Sequence, residues 1–450
     1  MSYYTFSILI EGAELNQQLY SGYDTNSTSD WDLRTSGSTA SCWFGNLEGS
    51  TKFEKLNDDI TADVAIVGAG ISGMTTGYLL SKAGKKVAIL DDGSIASGET
   101  GRTTAHITNA LDDRYYSLEK LHGLSGAKLA AESHSAAINL IYTIIKSEGI
   151  DCAFERLDGY LFLDATDNSE SLDKELLAVH NAGLSDVKLL EKSPLRHSNM
   201  GSCLCFPNQG QFQPLSYISA LARVITSKYH SNIYTQTHAD VIKFEGENGL
   251  IKTSDGFEIT ALNIVLATNA PIVDKVSKIY DKQQAYRTYV IAANIPKAAI
   301  PKALYWDTGN QKSKESIKPY HYVRTQKKEN DDKYDLLIVG GEDHKTGTIK
   351  DEKEINRRFE RLENWMRNRF PVKGPLVYRW SGQVMEPADG LAFIGRNPGP
   401  DKNVYIATGD SGNGITHGTL AGIILSDLIL GKNNPWAELY SPDRKMKDKA

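Results

Sequence analysis

The stretch ADVAIVGAGISGMTTGYLLSKAGKKVAILDD, residues 62–92, decides how this chain folds. Its first part, residues 63–67, is a short apolar run of the kind found in a fully buried parallel strand. Gly68, Gly70 and Gly73 follow directly, and the apolar spacing after them predicts a helix and then a second strand. A strand, a glycine turn, a helix and a strand in this order indicate one βαβ unit built around a nucleotide site.

Each glycine has a separate role in such a turn. Gly68 permits the tight turn, Gly70 lets the backbone approach a pyrophosphate, and Gly73 lets the helix lie against the strand. Asp91 ends the second strand about 18 residues after Gly73, near the spacing at which an acid binds the ribose of an adenine dinucleotide. We place Asp92 at the same ribose. A glycine-rich turn in another kind of α/β protein is the alternative, and it does not explain the whole order.

Composition and charge exclude several classes of protein. The 450 residues suit two or three domain-sized units, and a net charge of −6 without a long basic run argues against nucleic acid as a partner. No apolar run is long enough to span a bilayer, and no basic residue precedes the first apolar patch, so we expect a cytoplasmic protein. Cys203 and Cys205 lack further ligands nearby, so buried thiols are favoured over a metal site, and we predict no metal.

The loop GSIASGETGRTTAHIT, residues 93–108, stands where an NAD-dependent dehydrogenase would continue with strands and helices. Its hydroxyl groups and glycine amides are suited to wrap a pyrophosphate from the far side, as an FAD site requires. An exposed turn is the alternative. The predicted contacts in this loop are Ser97, Gly98, Thr100, Gly101, Arg102, Thr103 and Thr104.

Later segments return to the same site. Residues 263–271 read as a buried strand that ends in a loop, and residues 404–407 as a strand that leads into small residues and an apolar helix. The start of that helix presents free amides, which would stabilise negative charge on a reduced flavin. The predicted cofactor contacts in these segments are Ala267, Thr268, Gly409, Asp410, Gly412, Gly414, Ile415 and Thr416.

These patterns predict an α/β fold with an FAD-binding domain to which separated segments return and a second domain for the substrate. The FAD-binding domain takes residues 58–115, 200–275 and 380–432, and the substrate domain takes residues 116–199 and 276–379. Two further segments complete the chain. Residues 1–50 are expected to form an irregular arm held to the body by Trp31 and Trp43, and residues 433–450 a tail of which the last ten are solvated.

Within the substrate domain, periodicity predicts a helix at residues 129–147 and a hairpin at residues 152–163. On a strand at residues 320–324, Tyr320, Tyr322 and Arg324 share one face, while His321 and Val323 share the other. The first face is either a substrate wall or an aromatic surface packed on a helix. The pattern alone does not decide between the two.

The chain resembles the D-amino-acid oxidase-like FAD-dependent oxidoreductases, most closely a branch that often carries a C-terminal Rieske domain. The resemblance covers about residues 40–440 and rests on five motifs. It implies FAD as cofactor, a discontinuous, Rossmann-like FAD-binding domain and a mixed-sheet α+β substrate domain over the flavin. It also implies that backbone near Val241 lies at the adenine. The motifs are GAGISG, GETGRTTAHIT, PYHYVR with GGEDHKTG, WSGQVMEPADGLAFIG and ATGDSGNGITHG.

Three departures from this family's pattern bear on function. No Cys-x-His or Cys-x-x-His pair of a Rieske cluster is present, so we expect electrons to pass to O₂ or an external carrier. Arg102 stands where some relatives attach FAD to a histidine, which implies non-covalent FAD. The segment where amino-acid oxidases place a carboxylate-binding arginine offers Gln383 and Glu386, and a second such position corresponds to Gly412.

We therefore predict an FAD-dependent oxidoreductase that oxidises a small amine-type substrate by hydride transfer to flavin N5. The alternatives are an oxidase or dehydrogenase of amino or hydroxy acids, and a flavoprotein that acts as a binding or assembly factor. His106 is the first candidate for a polar group near the reaction and for a proton acceptor near neutral pH. The other candidates are His344, Tyr322 and Arg324, with lower expectation for His417 and Tyr320.

Overall fold

A computed structural model describes residues 39–44, 52–195, 200–245, 248–270, 272, 278–315, 318–328, 331–349, 351–399 and 403–446. Most of the predicted N-terminal arm, including Trp31, lies outside these residues. Trp43 is described and is 1% exposed, so it does pack against the body. Of the helices in the described segments, none has both the length and the apolar character that a membrane crossing requires.

The helices and strands alternate along much of the chain. The helices are α1 Ile71–Lys82, α2 Tyr115–Glu148, α3 Ser169–Asn181, α4 Pro214–Ser227, α5 Glu352–Arg369 and α6 Gly414–Ile429. The strands are β1 Ile60–Val67, β2 Val87–Leu90, β3 His106–Ile107, β4 Glu155–Phe162, β5 Lys188–Leu190, β6 Cys203–Gln211, β7 Asn232–Tyr234, β8 Ala239–Glu245, β9 Asn248–Thr253, β10 Glu258–Asn269, β11 Gln283–Pro296, β12 Leu304–Asp307, β13 His321–Lys327, β14 Tyr334–Lys345, β15 Leu376–Pro387, β16 Phe393–Arg396 and β17 Val404–Thr408.

The first sheet carries the nucleotide-binding pattern. Its strands run in the order β16-β17-β10-β1-β2-β7, with β8 and β9 joined to β10. Strands β17, β10, β1, β2 and β7 are parallel, so the carboxyl ends of β1, β10 and β17 meet at one edge. Ligands bind at this edge in open parallel sheets. The predicted strand, turn, helix and strand at residues 62–92 are confirmed.

Helix α6 lies across α1 at very short range. A Cβ placed on Gly418 would approach Ile71 Cγ2 to 2.5 Å, and one on Gly422 would approach Thr75 Cγ2 to 2.4 Å. Only glycine permits such an approach of one helix to the other. The contact brings the N-terminal ends of α1 and α6 to the same edge of the first sheet.

The second sheet forms the wall opposite this edge. Its strands run in the order β15-β11-β14-β13-β12-β4-β6-β3, and β5 pairs with β6. Neighbouring strands are antiparallel except β12 and β4. One face packs on α5 through a separate core that includes Val323, Leu337 and Leu362. The molecule is thus a mixed α/β fold with two sheets, which confirms the predicted fold class.

The predicted helix at residues 129–147 is confirmed as the second part of α2, which begins at Tyr115 and is interrupted by non-helical backbone at Gly123. Two other local predictions are wrong. Residues 152–163 do not form a hairpin, because they contribute one strand, β4, that pairs with β6 and β12 far along the chain. Local alternation does not reveal which distant strand a segment pairs with.

The second correction concerns the predicted solvated tail. The Arg444 guanidinium is almost fully buried and pairs with Asp389, with Nη2 2.7 Å from Oδ1. Tyr440 is fully buried, and its hydroxyl group is 2.8 Å from Ser133 Oγ. Residues 440–446 therefore hold β16 and α2 in place, because a buried charge pair fixes the backbone that carries it.

Candidate functional site

A cavity of about 730 Å³ lies between the two sheets. The first sheet contributes the carboxyl ends of β1, β10 and β17, and the second contributes side chains from β11, β12, β13 and β14. Most of the predicted cofactor contacts line it. They are Gly68, Gly70, Asp91, Asp92, Ser97, Gly98, Thr100, Arg102, Thr103, Thr104, Ala267, Thr268, Asp410, Gly412, Gly414 and Ile415.

Five predicted contacts do not line the cavity. Gly73 supports the turn from behind, because a Cβ there would lie 1.9 Å from Gly68 O. Val241 is in β8, while residues 237–240 before it line the cavity. The Thr416 hydroxyl group donates to Thr108 O at 3.1 Å. The remaining two are Gly101 and Gly409.

The glycine turn leaves the start of α1 open toward the cavity. Gly70 is the N-cap residue and supplies no side-chain cap, and the first turn of α1 has no acidic side chain. The Ile71 amide donates to Thr100 Oγ1 at 3.0 Å, which ties the turn to the polar loop. A helix start of this kind binds phosphate through its free amides and its partial positive charge.

Asp91 organises the turn as well as lining the cavity. Its Oδ2 accepts a hydrogen bond from the Ala69 amide at 2.7 Å, and its Oδ1 accepts one from the Gly93 amide at 2.9 Å. Each carboxylate oxygen has a second lone pair, so these bonds leave acceptor capacity for ribose hydroxyl groups. The sequence motif did not reveal this added role in holding the turn.

The segment 39–44 straps the polar loop from outside. Trp43 Nε1 donates to Thr103 O at 2.6 Å, and Ser41 Oγ donates to Gly101 O at 2.5 Å. In return Arg102 Nη1 donates to Thr39 O at 2.7 Å. These bonds fix the backbone of the loop, so its hydroxyl groups are held in one arrangement at the cavity.

The start of α6 forms the other end of the same site. Its N-cap residue, Asn413, makes no side-chain cap bond, and His417 Nδ1 donates to Asp410 O at 2.7 Å. Burial lowers the pKa of His417 to about 4, so the ring is neutral at pH 7. Two helix starts without side-chain caps and a loop of hydroxyl groups face one cavity, and this donor set fits the diphosphate and the flavin of FAD.

A row of aromatic rings forms the wall on the second sheet. The His106 ring centroid lies 6.5 Å from that of Trp306 and 5.8 Å from that of Tyr322, whose centroid is 5.4 Å from that of Tyr320. All four side chains line the cavity. The predicted face of Tyr320 and Tyr322 is therefore a cavity wall, while Val323 packs in the α5 core on the other face.

Arg324 shares that face but does not reach the cavity. Its guanidinium is fully buried and donates to Thr104 O, Ala105 O and Phe212 O at 3.0–3.1 Å. It also lies over the Trp43 ring, 5.4 Å from the centroid. Arg324 thus holds the polar loop from below, and it is not placed to bind a substrate carboxylate.

His106 lines the cavity, but it is not a proton acceptor near neutral pH, contrary to our expectation. Its Nε2 lies 3.3 Å from Val323 O, which only accepts, so Nε2 carries the proton and Nδ1 accepts from Thr104 Oγ1 at 3.0 Å. Burial, with a contribution from Arg324, lowers the pKa of His106 to about 3. His106 is therefore a neutral, oriented part of the wall.

The cavity face of β14 carries Asp343 instead of the predicted His344. Gly340 lies opposite Tyr322 on the cavity face, so a regular strand would place His344 there too. A bulge intervenes, because Arg287 pairs with His344 while Tyr289 pairs with Gly341, and Glu342 takes a φ of 61°. One extra residue exchanges the two faces. His344 therefore stacks on Tyr289 behind the sheet.

Three acidic residues that sequence reasoning did not single out as substrate contacts lie at this wall or beside it. Burial raises the pKa of Asp343 to about 7, with a further contribution from the charge of Asp112. Burial also raises the pKa of Asp112 to about 6 and that of Asp410 to about 7. Asp410 had been assigned to the cofactor. The run LDD at residues 111–113, just after the polar loop, was the available signal for Asp112.

The segment at residues 380–387, which offers Gln383 and Glu386, contributes less to the cavity than we expected. Gln383 lines the cavity, and its backbone amide donates to Glu99 Oε2 at 2.7 Å. Glu386 does not line the cavity, and its Oε2 accepts from Ser411 Oγ at 2.9 Å. Glu386 therefore holds the loop before α6 through Ser411. The acidic character of the cavity comes from other residues.

Comparisons with known proteins identify relatives of the whole body of the chain. The family model described as "DAO: FAD dependent oxidoreductase" matches residues 63–428. A protein of Bacillus subtilis named putative Rieske 2Fe-2S iron-sulfur protein YhfW is 29% identical over 394 residues, which are 87% of this chain and 73% of the relative. Gamma-glutamylputrescine oxidoreductase of Escherichia coli is 24% identical, over 87% of this chain and 89% of the relative.

The fold has close counterparts among solved structures. Glycine oxidase from Geobacillus kaustophilus superposes with a TM-score of 0.68 at 18% identity, covering 86% of this chain and all of that chain. The L-amino acid deaminase from Proteus vulgaris gives a TM-score of 0.66 at 17% identity, over 88% of this chain and 97% of that chain. At identities this low, the superpositions establish only the fold, that is, the arrangement of the two sheets.

Proposed function

The chain belongs to the DAO family of FAD-dependent oxidoreductases, and from this premise we propose that it oxidises a small amine that carries no carboxylate. The acidic wall of the cavity carries the proposal. Asp112, Asp343 and Asp410 line it, and Arg102 is the only arginine that lines it within the described residues. The Arg102 guanidinium donates to Thr39 O. A substrate carboxylate in this cavity would meet acceptors, and burying it without a paired cation is costly.

The reaction takes two electrons from a carbon that bears nitrogen. The C–H bond breaks and its electron pair leaves with the hydrogen as hydride, while the nitrogen loses a proton and a C=N bond forms. FAD, when bound, supplies the acceptor for the hydride at flavin N5. Water then hydrolyses the imine to a carbonyl compound, and the nitrogen leaves as ammonia from a primary amine or as an amine from a secondary one.

The protein's part in this reaction is binding and orientation. Residues of the glycine turn, the polar loop and the start of α6 would hold FAD without a covalent bond, since Arg102 stands at the position of attachment in some relatives. The rings of Trp306, His106, Tyr322 and Tyr320 exclude water from one side of the cavity. The likeness to a relative named for a putrescine derivative also supports an amine as substrate.

Anaerobic reduction of the bound flavin tests the proposal. We expect carboxylate-free amines to bleach the flavin spectrum, in a panel that also contains the matching α-amino acids and α-hydroxy acids. Bleaching by the acids alone would replace the proposal with amino-acid or hydroxy-acid oxidation. A yellow protein that no member of the panel reduces would favour a binding or assembly role.

A further inference from the structure

Asp343 lines the cavity, and one of its carboxyl oxygens, Oδ1, is buried without a hydrogen-bond partner in the described residues. Its side chain is 6% exposed and lines the cavity, and no donor in the described residues reaches Oδ1. Thr288, whose Oγ1 also lies 2.7 Å from the Tyr322 hydroxyl group, contacts the carboxyl group. A buried acceptor without a partner destabilises a protein unless a ligand satisfies it.

Asp112 supplies a second carboxyl group at the same end of the aromatic wall. The Tyr320 hydroxyl group donates to its Oδ2 at 2.7 Å, and its charge acts directly on Asp343. A Cβ on Gly412 would lie only 2.1 Å from Asp112 Oδ2, so the missing side chain makes room for the carboxyl group. The two acids therefore line the same part of the cavity, Asp112 from the loop before α2 and Asp343 from β14.

Nearby cations oppose the burial that raises the pKa values of both acids and so favour the ionised form of the pair. Arg114 acts on Asp112, while His321 and Arg358 act on Asp343 from behind the sheet. Asp307 and Glu342 hold the pKa of His321 at about 9, so that ring is charged at pH 7. These cations have their own partners and do not neutralise the cavity side, where a bound cation would be attracted.

The chemistry of amine oxidation decides which nitrogen binds here. The reacting nitrogen must be neutral, because an ammonium group has no lone pair to form the C=N bond. Two carboxyl groups at close range stabilise a nitrogen that stays protonated and donates three hydrogen bonds. The rings of His106, Tyr322 and Tyr320 lead along the wall to this pair and offer an apolar surface to a carbon chain.

We propose that Asp343 and Asp112 bind a second, non-reacting ammonium group, so that the preferred substrates are diamines. The inference rests on the proposed amine oxidation and adds the substrate class. It requires that the second nitrogen raises kcat/KM through binding. A monoamine of the same chain length would leave the carboxyl pair without its cation.

Steady-state kinetics of the flavin-loaded enzyme test this site with α,ω-diaminoalkanes of three to eight carbons and the matching n-alkylamines. We expect the best diamine to exceed its monoamine at least tenfold in kcat/KM. Asp343→Asn and Asp112→Asn should each lower kcat/KM for the diamine about ten- to a hundredfold through KM, so that the diamine loses its preference over the monoamine. Asp335→Asn, an acid elsewhere on β14, is the matched control and should leave both substrates unchanged.

The possible failures separate the two proposals. Equal kcat/KM for diamines and monoamines would overturn the diamine site and leave amine oxidation standing. A loss of kcat for both substrates in Asp343→Asn, with normal flavin content, would overturn it in favour of a role in removing a proton from the reacting nitrogen. If no amine reduces the flavin, both proposals fall.

Discussion

The two ends of the cavity are built in different ways. The phosphate end consists of backbone amides and short hydroxyl side chains from the glycine turn and the loop at residues 97–104, which are close in sequence. The acidic end combines Asp112, Thr288, Tyr320 and Asp343 from distant segments. One end depends on local backbone conformation, and the other depends on strand register. Substitutions at the phosphate end should therefore change the binding of FAD, and substitutions at the acidic end should change the binding of substrate.

The largest expected effect is at the phosphate end. Gly70→Val should abolish FAD binding, because a side chain there points at the Thr100 hydroxyl group, 3.0 Å from the added Cβ, and fills the turn. Asp91→Ala is the milder comparison and should weaken FAD about tenfold to a hundredfold, through lost hydrogen bonds to a charged group. Flavin absorbance per protein measures both. Full flavin content in Gly70→Val would show that the turn is not the phosphate site.

Arg324 holds the polar loop from below, so its loss should disturb the phosphate end. Arg324→Ala removes the donors to three backbone carbonyl groups and leaves those acceptors buried, at a cost of about 2–4 kcal/mol of folding free energy. We expect a lower thermal midpoint and faster loss of FAD. Arg324→Lys keeps the charge, so its thermal midpoint and its rate of FAD loss should lie between those of wild type and Arg324→Ala. A normal midpoint together with a selective rise of KM would instead assign Arg324 to substrate binding.

The acidic end should give the protein a pH-dependent stability. The folded pKa of Asp343 is raised to about 7, above its unfolded value, so the folded state holds a proton that the unfolded state releases between about pH 4 and 7. Its contribution to stability is present below about pH 4 and is lost as the pH rises through about 7. Relative to wild type, Asp343→Asn should therefore gain up to about 3 kcal/mol between pH 5 and 8.

Thermal midpoints of the flavin-bound proteins at pH 5 and 8 measure that gain. A difference between variant and wild type that stays constant with pH would contradict the raised pKa. The pKa of Asp112 is raised to about 6. Asp112→Asn should therefore also gain stability relative to wild type as the pH rises, but at lower pH than Asp343→Asn.

The smallest effect concerns the strap over the polar loop. Trp43→Phe removes the hydrogen bond from Nε1 to Thr103 O and keeps most of the packing, so about 1 kcal/mol is expected. The rate at which FAD dissociates on dilution should rise severalfold, while KM for substrate stays the same. An unchanged rate would separate residues 39–44 from cofactor retention.

The sequence predicted the phosphate end well because its information is local. The order of β1, Gly68, Gly70, Gly73, α1 and β2 follows from spacing alone. The loop at residues 97–104 was recognisable by composition, and most of its predicted contacts do line the cavity.

The acidic end was not predictable in the same way. The family resemblance pointed to His344 near the flavin, and one bulge at Glu342 puts Asp343 on the cavity face instead. Arg324 was chosen for its charge, yet its partners Thr104, Ala105 and Phe212 are at least 112 residues away in the chain. Strand register and burial against distant segments decide such positions, and a local sequence pattern reveals neither.

The most direct measurement of the central claim is the rate of anaerobic flavin reduction by an amine and by the α-amino acid that has the same side chain. The acidic wall predicts that the amine reduces the flavin at least about tenfold faster at equal concentration, since the carboxylate meets Asp112, Asp343 and Asp410. Faster reduction by the amino acid would contradict the account and return the chain to amino-acid oxidation.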